Sequence, residues 1–160
     1  MTEEEFETFL SAEKEMLSSF CRSLCQNEHD AQDLFQETVL KFWKRKAQLK
    51  SVDGLHTYLF RICVNTYRNM IRSKKRRPEV YEEEREEYLD NIPDKSNREE
   101  YVLLYDAVSR LKTNSRIVLT LTYFKDLSEK EVAEILNLPI GTVKTRLLTA
   151  KRELKKELTT

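Results

Sequence analysis

The stretch that most constrains this chain is residues 127–158, LSEKEVAEILNLPIGTVKTRLLTAKRELKKEL, which has the pattern of a helix-turn-helix. Ser128 and Glu131 have the spacing of a capping box, and this predicts a short helix that begins there and ends near Asn137. Pro139 and Gly141 mark the turn that follows. Apolar residues then recur every three or four positions and predict the buried face of a second helix: Val143, Leu147, Ala150, Leu154 and Leu158.

The opposite side of this second helix is polar and basic. A helix with such a face fits the major groove of DNA, where side chains reach base edges and phosphates. The pattern alone also allows a helical hairpin whose basic face is only solvated. The outward positions are Lys144, Thr145, Leu148, Thr149 and Arg152, flanked by Arg146 and Lys151.

The composition favours helices throughout the 160 residues, because only two glycines and three prolines are present and 35% of the residues are charged. We therefore predict an all-α protein with two small helical domains, residues 1–77 and 97–160, joined by a flexible acidic linker at 78–96. Residues 117–124 are rich in β-branched and aromatic side chains. We predict a helix there as well, since no partner strand lies nearby in the sequence.

The formal net charge of zero hides a strong segregation of charge. The balance is −8 over residues 1–40, +11 over 41–77, −7 over 78–100 and +4 over 101–160. Binding to a polyanion is therefore expected to be local to the basic segments.

Further capping boxes predict where other helices begin. Thr2 and Glu5 open a first helix that runs to a polar break at residues 26–30. Ser96 and Glu99 open a later helix. Its inward residues are predicted to be Tyr101, Leu104, Tyr105, Val108 and Leu111.

The three cysteines, Cys21, Cys25 and Cys63, are too few and odd in number for a disulfide framework, and the N-terminal sequence is acidic without an apolar signal region. We expect a cytoplasmic protein without direct membrane insertion, since no apolar run approaches the roughly 20 residues that span a bilayer. Cys21, Cys25 and His29 are spaced by four and could offer three zinc ligands on one helix face. Buried thiols more often serve as small apolar residues, and we predict no metal and no cofactor.

No set of residues with the pattern of a catalytic site is evident. His29 and His56 lie far apart, without a nucleophile or a carboxylate pair around them, and two glycines cannot form a glycine-rich phosphate loop. We predict that the protein is not an enzyme and has no small-molecule substrate.

Three motifs occur in the order DAQDLFQETVLKFW, LHTYLFRICVNTYRNMIR and LSEKEVAEILNLPIGTVKTRLLTAKREL, with the acidic linker before the last. In these motifs the chain resembles the extracytoplasmic-function (ECF) group of bacterial sigma factors, in the sigma-70 family. The resemblance implies a protein that binds core RNA polymerase, reads the −10 and −35 promoter elements and assists DNA melting. It also implies an anti-sigma partner. The residues themselves leave open a stand-alone helix-turn-helix regulator of promoter DNA.

The resemblance assigns three surfaces. The polymerase-binding surface is on the helix after residue 30, at Asp33, Gln36, Glu37 and Lys41, whereas Leu34, Phe42 and Trp43 match positions that are mostly core. The −10 reader departs from the family pattern in its loop, and Tyr58 could instead be core; its residues are Lys50, His56, Tyr58, Arg61, Asn65, Arg68, Asn69 and Arg72. The −35 reader comprises Thr142, Lys144, Thr145, Arg146, Leu148, Thr149, Lys151 and Arg152.

Overall fold

The structure is a computed structural model that describes residues 2–49, 54–73, 86, 89–90, 96–123 and 127–159. Within these ranges the chain forms seven α-helices and no strand, which confirms the all-α prediction. We name α1–α3 the N-terminal helices and α4–α7 the C-terminal helices. Their bounds are α1 Glu3–Cys25, α2 Glu28–Lys44, α3 Leu55–Ser73, α4 Arg98–Ser109, α5 Thr113–Tyr123, α6 Glu129–Leu136 and α7 Ile140–Thr159, and a 3-10 turn at Lys46–Gln48 follows α2.

Two of the three predicted capping boxes are present. Thr2 with Glu5 opens α1, and Ser128 with Glu131 opens α6, each through a reciprocal pair of backbone-to-side-chain hydrogen bonds of 3.1 and 3.3 Å. The third prediction is wrong: α4 begins at Arg98, and its N-cap residue is Asn97, which makes no side-chain capping bond. A helix held by its neighbours can begin without a side-chain cap, since packing supplies most helical stability.

The polar break after α1 is a tight junction between two helices. Gln26 ends α1 in the left-handed conformation, with φ of 60°, and Asn27 begins α2 by accepting a 2.8 Å hydrogen bond from the backbone N–H of Asp30. His29 therefore belongs to α2 and does not continue the face of α1 that carries Cys21 and Cys25.

The core of the N-terminal helices is largely aromatic. Phe6 and Phe42 stack with ring centroids 5.2 Å apart, and Phe20 and Phe60 lie 5.2 Å apart. All four rings are buried. Each contributes roughly 1.5–3 kcal/mol through burial, so this core fixes the relative positions of α1, α2 and α3.

The core of the C-terminal helices is aliphatic. Helix α5 buries Ile117, Val118 and Leu121 against α7, which contributes Val143 and Ala150 to the same core. The helix predicted from residue 117 is present through Tyr123, where the description of α5 ends. The predicted inward stripe of α7 is only partly correct, since Leu154 is half-buried and Leu158 is exposed near the end of the helix.

A buried polar cluster joins the two groups of helices. Arg116 of α5, only 9% exposed, donates to the hydroxyl of Tyr67 at 2.8 Å and to the carbonyl of Ser109 at 2.9 Å. The Tyr105 hydroxyl of α4 donates to the carbonyl of Gln26 at 3.0 Å. Because buried polar groups are costly unless paired, these bonds favour one relative placement of the two groups.

Across the described ranges, no helix is both long and apolar enough to cross a membrane.

Candidate nucleic-acid interface

The outward side of α7 carries the predicted −35 residues. Two of them, Thr142 and Arg146, are half-buried. The Thr145 hydroxyl donates to the carbonyl of Gly141 at 3.0 Å, which holds that side chain against the first turn of the helix. The remaining positions are exposed to solvent: Lys144, Thr145, Leu148, Thr149, Lys151 and Arg152.

The turn before α7 sets the direction of this face. Asn137 ends α6 in the left-handed conformation, with φ of 55°, and the backbone N–H groups of Thr142 and Val143 bond to the carbonyl of Pro139. Helix α7 therefore leaves the turn with its apolar side against α5 and its basic side in solvent. Its N-terminus adds a partial positive charge that favours phosphate.

The predicted −10 residues at the start of α3 are held by the protein itself. His56 Nδ1 lies 3.0 Å from a carboxylate oxygen of Glu13, and the Tyr58 hydroxyl accepts a 3.4 Å hydrogen bond from Arg45. The ring of Tyr58 is half-buried, with its centroid 6.2 Å from that of Phe42. Tyr58 therefore packs at the edge of the core while its hydroxyl faces solvent. Lys50 lies outside the described residues.

Two arginines of α3 point toward the C-terminal helices. Arg61 donates from Nε to the carbonyl of Ile135 at 3.2 Å and from Nη2 to the carbonyl of Glu134, at the last turn of α6. Arg68 donates to the side-chain oxygen of Asn114 at 3.4 Å. A cation at the C-terminal end of a helix is electrostatically favourable, so Arg61 links α3 to the helix-turn-helix. No local pattern in the sequence predicts this contact.

Asn65, Asn69 and Arg72 are the exposed members of the predicted −10 set. Arg72 donates to the side-chain oxygen of Asn69 at 3.4 Å. Asn65 and Asn69 are therefore accessible from solvent, whereas Arg72 also lines a cleft between α3 and α7.

A cleft of about 630 Å³ separates α3 from α7 and brings together residues of both predicted DNA readers. We name it the α3–α7 cleft. Burial and the nearby charges of Arg146 and Arg72 lower the pKa of Arg68 below its usual value. Its lining is Arg68, Ile71, Arg72, Lys112, Thr113, Asn114, Ser115, Leu136, Leu138, Thr145, Arg146, Thr149 and Glu153.

The predicted polymerase-binding residues share one side of α2. Asp33, Gln36 and Glu37 are exposed, whereas Lys41 is half-buried, with Nζ 3.3 Å from both the Glu37 carboxylate and the Thr66 hydroxyl. The exposed part of this surface is therefore mainly acidic, and Lys41 fixes its border with α3.

Trp43 departs from the core position that the resemblance assigns to it, since it is 37% exposed. One edge meets Phe6, with centroids 5.0 Å apart, and Lys46 Nζ lies 3.2 Å from its ring centroid on the solvent side. Leu34 and Phe42 are buried as expected.

The structure does not bring the candidate zinc ligands together. Cys21 Sγ lies 3.7 Å from Cys63 Sγ inside the core, and this contact together with burial raises the pKa of the Cys21 thiol. The His29 side chain is 81% exposed on α2, 3.6 Å from Asp30 and 3.5 Å from Asp33. Cys21 is therefore a packed, neutral thiol, and Cys25 and Cys63 are buried in the same core.

An apolar groove of about 480 Å³ lies on α4, α5 and α7. Tyr101 and Leu104, which the helical period predicts to be inward, are instead 38% and 44% exposed and line this groove with Tyr123 and Leu154. The exposed aromatic and leucine side chains make the surface of this groove apolar. The helical period predicted that these side chains are apolar but could not predict that they are exposed.

Comparison with known protein families gives two matches within this chain. A sequence model of sigma-70 region 2 matches residues 9–77, and one of sigma-70 region 4 matches residues 101–154. The second match includes the helix-turn-helix, and the first includes α2, α3 and most of α1.

Curated relatives are similar over most of their length. The chain is 29% identical over 159 residues to the ECF RNA polymerase sigma factor SigW of Bacillus subtilis, covering 91% of this chain and 84% of that protein. It is 26% identical over 144 residues to the ECF RNA polymerase sigma-E factor of Haemophilus influenzae, covering 82% and 76%.

Two solved structures have a similar fold. One is the sigma factor RpoE of Bartonella quintana in complex with the anti-sigma factor NepR, with a TM-score of 0.72, 22% identity and 98% of each chain covered. The other is CnrH in complex with the cytosolic domain of CnrY, with a TM-score of 0.71, 22% identity, and coverage of 99% of this chain and 90% of that one.

Proposed function

Because this chain belongs to the ECF group of the sigma-70 family of RNA polymerase sigma factors, we propose that it binds core RNA polymerase and directs initiation at specific promoters. The observation that carries the proposal is the presence of regions 2 and 4, in that order, in one chain whose basic α7 face is exposed. Catalysis then belongs to the polymerase, and this chain carries out no bond chemistry. We place its action in the cytoplasm, where it would meet promoter DNA.

A transcription assay tests this function. The purified chain added to core polymerase is expected to give transcripts from specific promoters in genomic DNA. The second candidate, a stand-alone helix-turn-helix regulator, is disfavoured by the region 2 match over residues 9–77. Absence of transcripts, together with tight binding of duplex promoters by the chain alone, would support that regulator instead.

We place the polymerase-binding surface on α2, at Asp33, Gln36, Glu37 and Lys41. Glu37→Lys should weaken core binding at least tenfold, because it reverses the charge at the centre of an exposed acidic patch. Glu7→Lys is the matched control, since Glu7 is an exposed carboxylate on α1 outside this patch. Equal effects of the two substitutions on polymerase affinity would place the binding surface elsewhere.

We propose that the −10 and −35 readers lie farther apart on promoter DNA than they do in this structure. The centres of the −10 and −35 elements are about 25 base pairs apart, which is roughly 85 Å at about 3.4 Å per base pair. In the structure, by contrast, Arg61 of α3 bonds directly to the end of α6. Residues 1–77 and 97–160 would therefore move apart on the polymerase, with residues 78–96 as the linker.

Affinity for duplex −35 DNA should depend on salt. If about four phosphates are neutralised along α7, the log-log slope against salt is about −3 to −4. Fluorescence anisotropy of a labelled −35 duplex, titrated with the full chain at several salt concentrations, measures the slope. A slope near zero would contradict phosphate contacts on α7.

We also propose an anti-sigma partner that docks on the apolar groove of α4, α5 and α7. The groove exposes Tyr101, Leu104 and Tyr123, which suit the apolar face of a partner helix. A partner found by co-purification from cells should lose affinity on Leu104→Glu and keep it on Leu148→Glu, an exposed leucine on the DNA side of α7. Equal loss on both would exclude the groove.

A further inference from the structure

The α3–α7 cleft carries a positive charge that its own lining does not balance. Arg68, Arg72, Lys112 and Arg146 line it, whereas the lining includes one carboxylate, Glu153, which accepts a 3.1 Å hydrogen bond from Ser115. Cations that face each other across a partly desolvated space repel. Burial, and then repulsion from Arg146 and Arg72, lower the pKa of Arg68. An anion in the cleft would relieve the repulsion.

Uncharged donors face the same space. Thr113 and Asn114 begin α5 at the wall of the cleft, and the N–H groups of a helix's first turn have no acceptor within the helix. The Thr149 hydroxyl lines the opposite wall, on α7, beside Thr145, whose hydroxyl donates to the carbonyl of Gly141. Arginine guanidinium groups, hydroxyls and a helix start are together the groups that bind phosphate oxygens.

The cleft also has an apolar portion. Ile71 of α3, and Leu136 and Leu138 at the turn of the helix-turn-helix, line it beside the arginines. Ile71 is 37% exposed, so part of its side chain is available to a ligand. A volume of about 630 Å³ lies in the range of roughly 300–1,000 Å³ that small-molecule sites occupy. An inorganic anion would leave this apolar surface in water, whereas the base of a nucleotide would cover it.

We propose that the α3–α7 cleft binds a nucleotide with two or more phosphates. The phosphates lie between Arg68 and Arg146 at the start of α5, and the base packs on Ile71 and Leu136. Such a ligand is a regulator and is not consumed. Since it contacts both groups of helices, it binds the arrangement seen here more tightly than a separated one and stabilises it by mass action.

The consequence for transcription rests on the proposed function. Arg68, Arg72 and Arg146 are also proposed DNA contacts, so a bound nucleotide and promoter DNA compete for the same arginines. Nucleotide binding should therefore reduce the rate at which the free chain enters the polymerase complex, while binding itself needs neither polymerase nor promoter.

Calorimetric titration of the full chain tests the site, at constant ionic strength and without magnesium. The probes are each of the four nucleoside triphosphates, AMP and inorganic triphosphate. At least one nucleoside triphosphate should saturate at one per chain and bind about tenfold or more tightly than AMP and than inorganic triphosphate. No saturable binding by any of the four, or equal binding by inorganic triphosphate, would overturn the proposal.

Substitutions locate the site. Arg146→Gln should weaken nucleotide binding about tenfold or more, as expected for loss of a charged hydrogen bond. Lys155→Gln removes the same charge from an exposed position of α7 outside the cleft and should leave binding unchanged. Equal weakening by both would show only general attraction of an anion to basic residues. Ile71→Glu, at an exposed position, should abolish binding while circular dichroism stays unchanged.

The two proposals fail separately. A chain that directs promoter-specific transcripts but binds no nucleotide would contradict the cleft site alone. A chain that binds nucleotide but supports no transcript with core polymerase would contradict the proposed function and leave the cleft site standing.

Discussion

The two candidate DNA readers of this chain differ in how free they are to act. The basic face of α7 is formed on the outer side of a helix whose inner side is already packed, and Lys144, Leu148 and Arg152 are exposed. On α3, by contrast, Arg61 is bonded to the end of α6 and His56 to Glu13. One reader is available as the structure stands, and the other must first lose contacts within the protein.

This difference follows from what each helix packs against. Helix α7 lies against α5 and presents its far side to solvent, whereas α3 lies between its own core and the C-terminal helices. A DNA reader placed as α3 is must first break its contacts within the protein. The free energy of breaking them subtracts from its affinity for DNA. Anything that favours the contact of α3 with α6 therefore lowers −10 binding before it affects −35 binding.

The largest effect on stability is expected from a substitution in the core of the N-terminal helices. Phe42→Ala should lower the free energy of unfolding by about 3–5 kcal/mol, since it removes a fully buried ring that stacks on Phe6 and Phe9. Urea denaturation measures the loss. Hydrogen exchange should show a larger loss of protection in α3 than in α7, since α3 packs directly on α2, which carries Phe42. An equal loss in α7 would contradict this expectation.

The buried arginine gives the next largest effect. Arg116→Ala should lower the free energy of unfolding by about 2–3 kcal/mol, because the carbonyl of Ser109 and the hydroxyl of Tyr67 lose a charged donor. Tyr67→Phe, which keeps the ring, should cost only about 1 kcal/mol. In thermal or urea unfolding, additive losses in the double variant would contradict a direct bond between the two residues.

Substitutions on α7 should separate base reading from phosphate contact. Lys144→Ala should cost about 1–3 kcal/mol of affinity for the preferred −35 sequence and relax the preference at one base position. Arg152→Ala should weaken all sequences alike. Binding to a set of single-base variants of the −35 duplex distinguishes the two, and loss of preference at no position in Lys144→Ala would remove that residue from base reading.

The smallest effect is expected at the start of the helix-turn-helix. Ser128→Ala removes the side-chain oxygen that caps α6 and should cost about 1 kcal/mol of stability. Because α6 also receives Arg61, its loosening should raise the exposure of α3. Ser11→Ala is the control, since Ser11 is an exposed residue within α1 and caps no helix. A larger loss from Ser11→Ala than from Ser128→Ala would contradict the cap assignment at Ser128.

Local patterns in the sequence predicted much of the fold. The capping boxes at Thr2 and Ser128, and the position of α7, depend on neighbouring residues and were correctly predicted. The cap at Ser96 was not, because a helix supported by packing needs no side-chain cap. The spacing of Cys21, Cys25 and His29 was misleading, since a left-handed residue at position 26 breaks the helix between them.

The placement of the two groups of helices could not be predicted from the sequence. Arginine is usually a surface residue, and nothing near Arg61 or Arg116 in the chain indicates their partners. Arg61 bonds to a carbonyl 74 residues away, and Arg116 bonds to the hydroxyl of Tyr67, 49 residues away. Contacts of this kind depend on the three-dimensional meeting of distant elements. The residues proposed for the −35 face, in contrast, follow from the period of one helix.

The reaction rate of the buried thiols reports how often the N-terminal core opens. Cys21, Cys25 and Cys63 are buried thiols that form no disulfide, and a thiol reacts with alkylating reagents as its thiolate, which burial disfavours. Labelling of the natural protein is therefore expected to proceed only as fast as the N-terminal core opens. Its rate, followed by mass spectrometry for the free chain and for the chain on polymerase, would time that opening without any introduced probe.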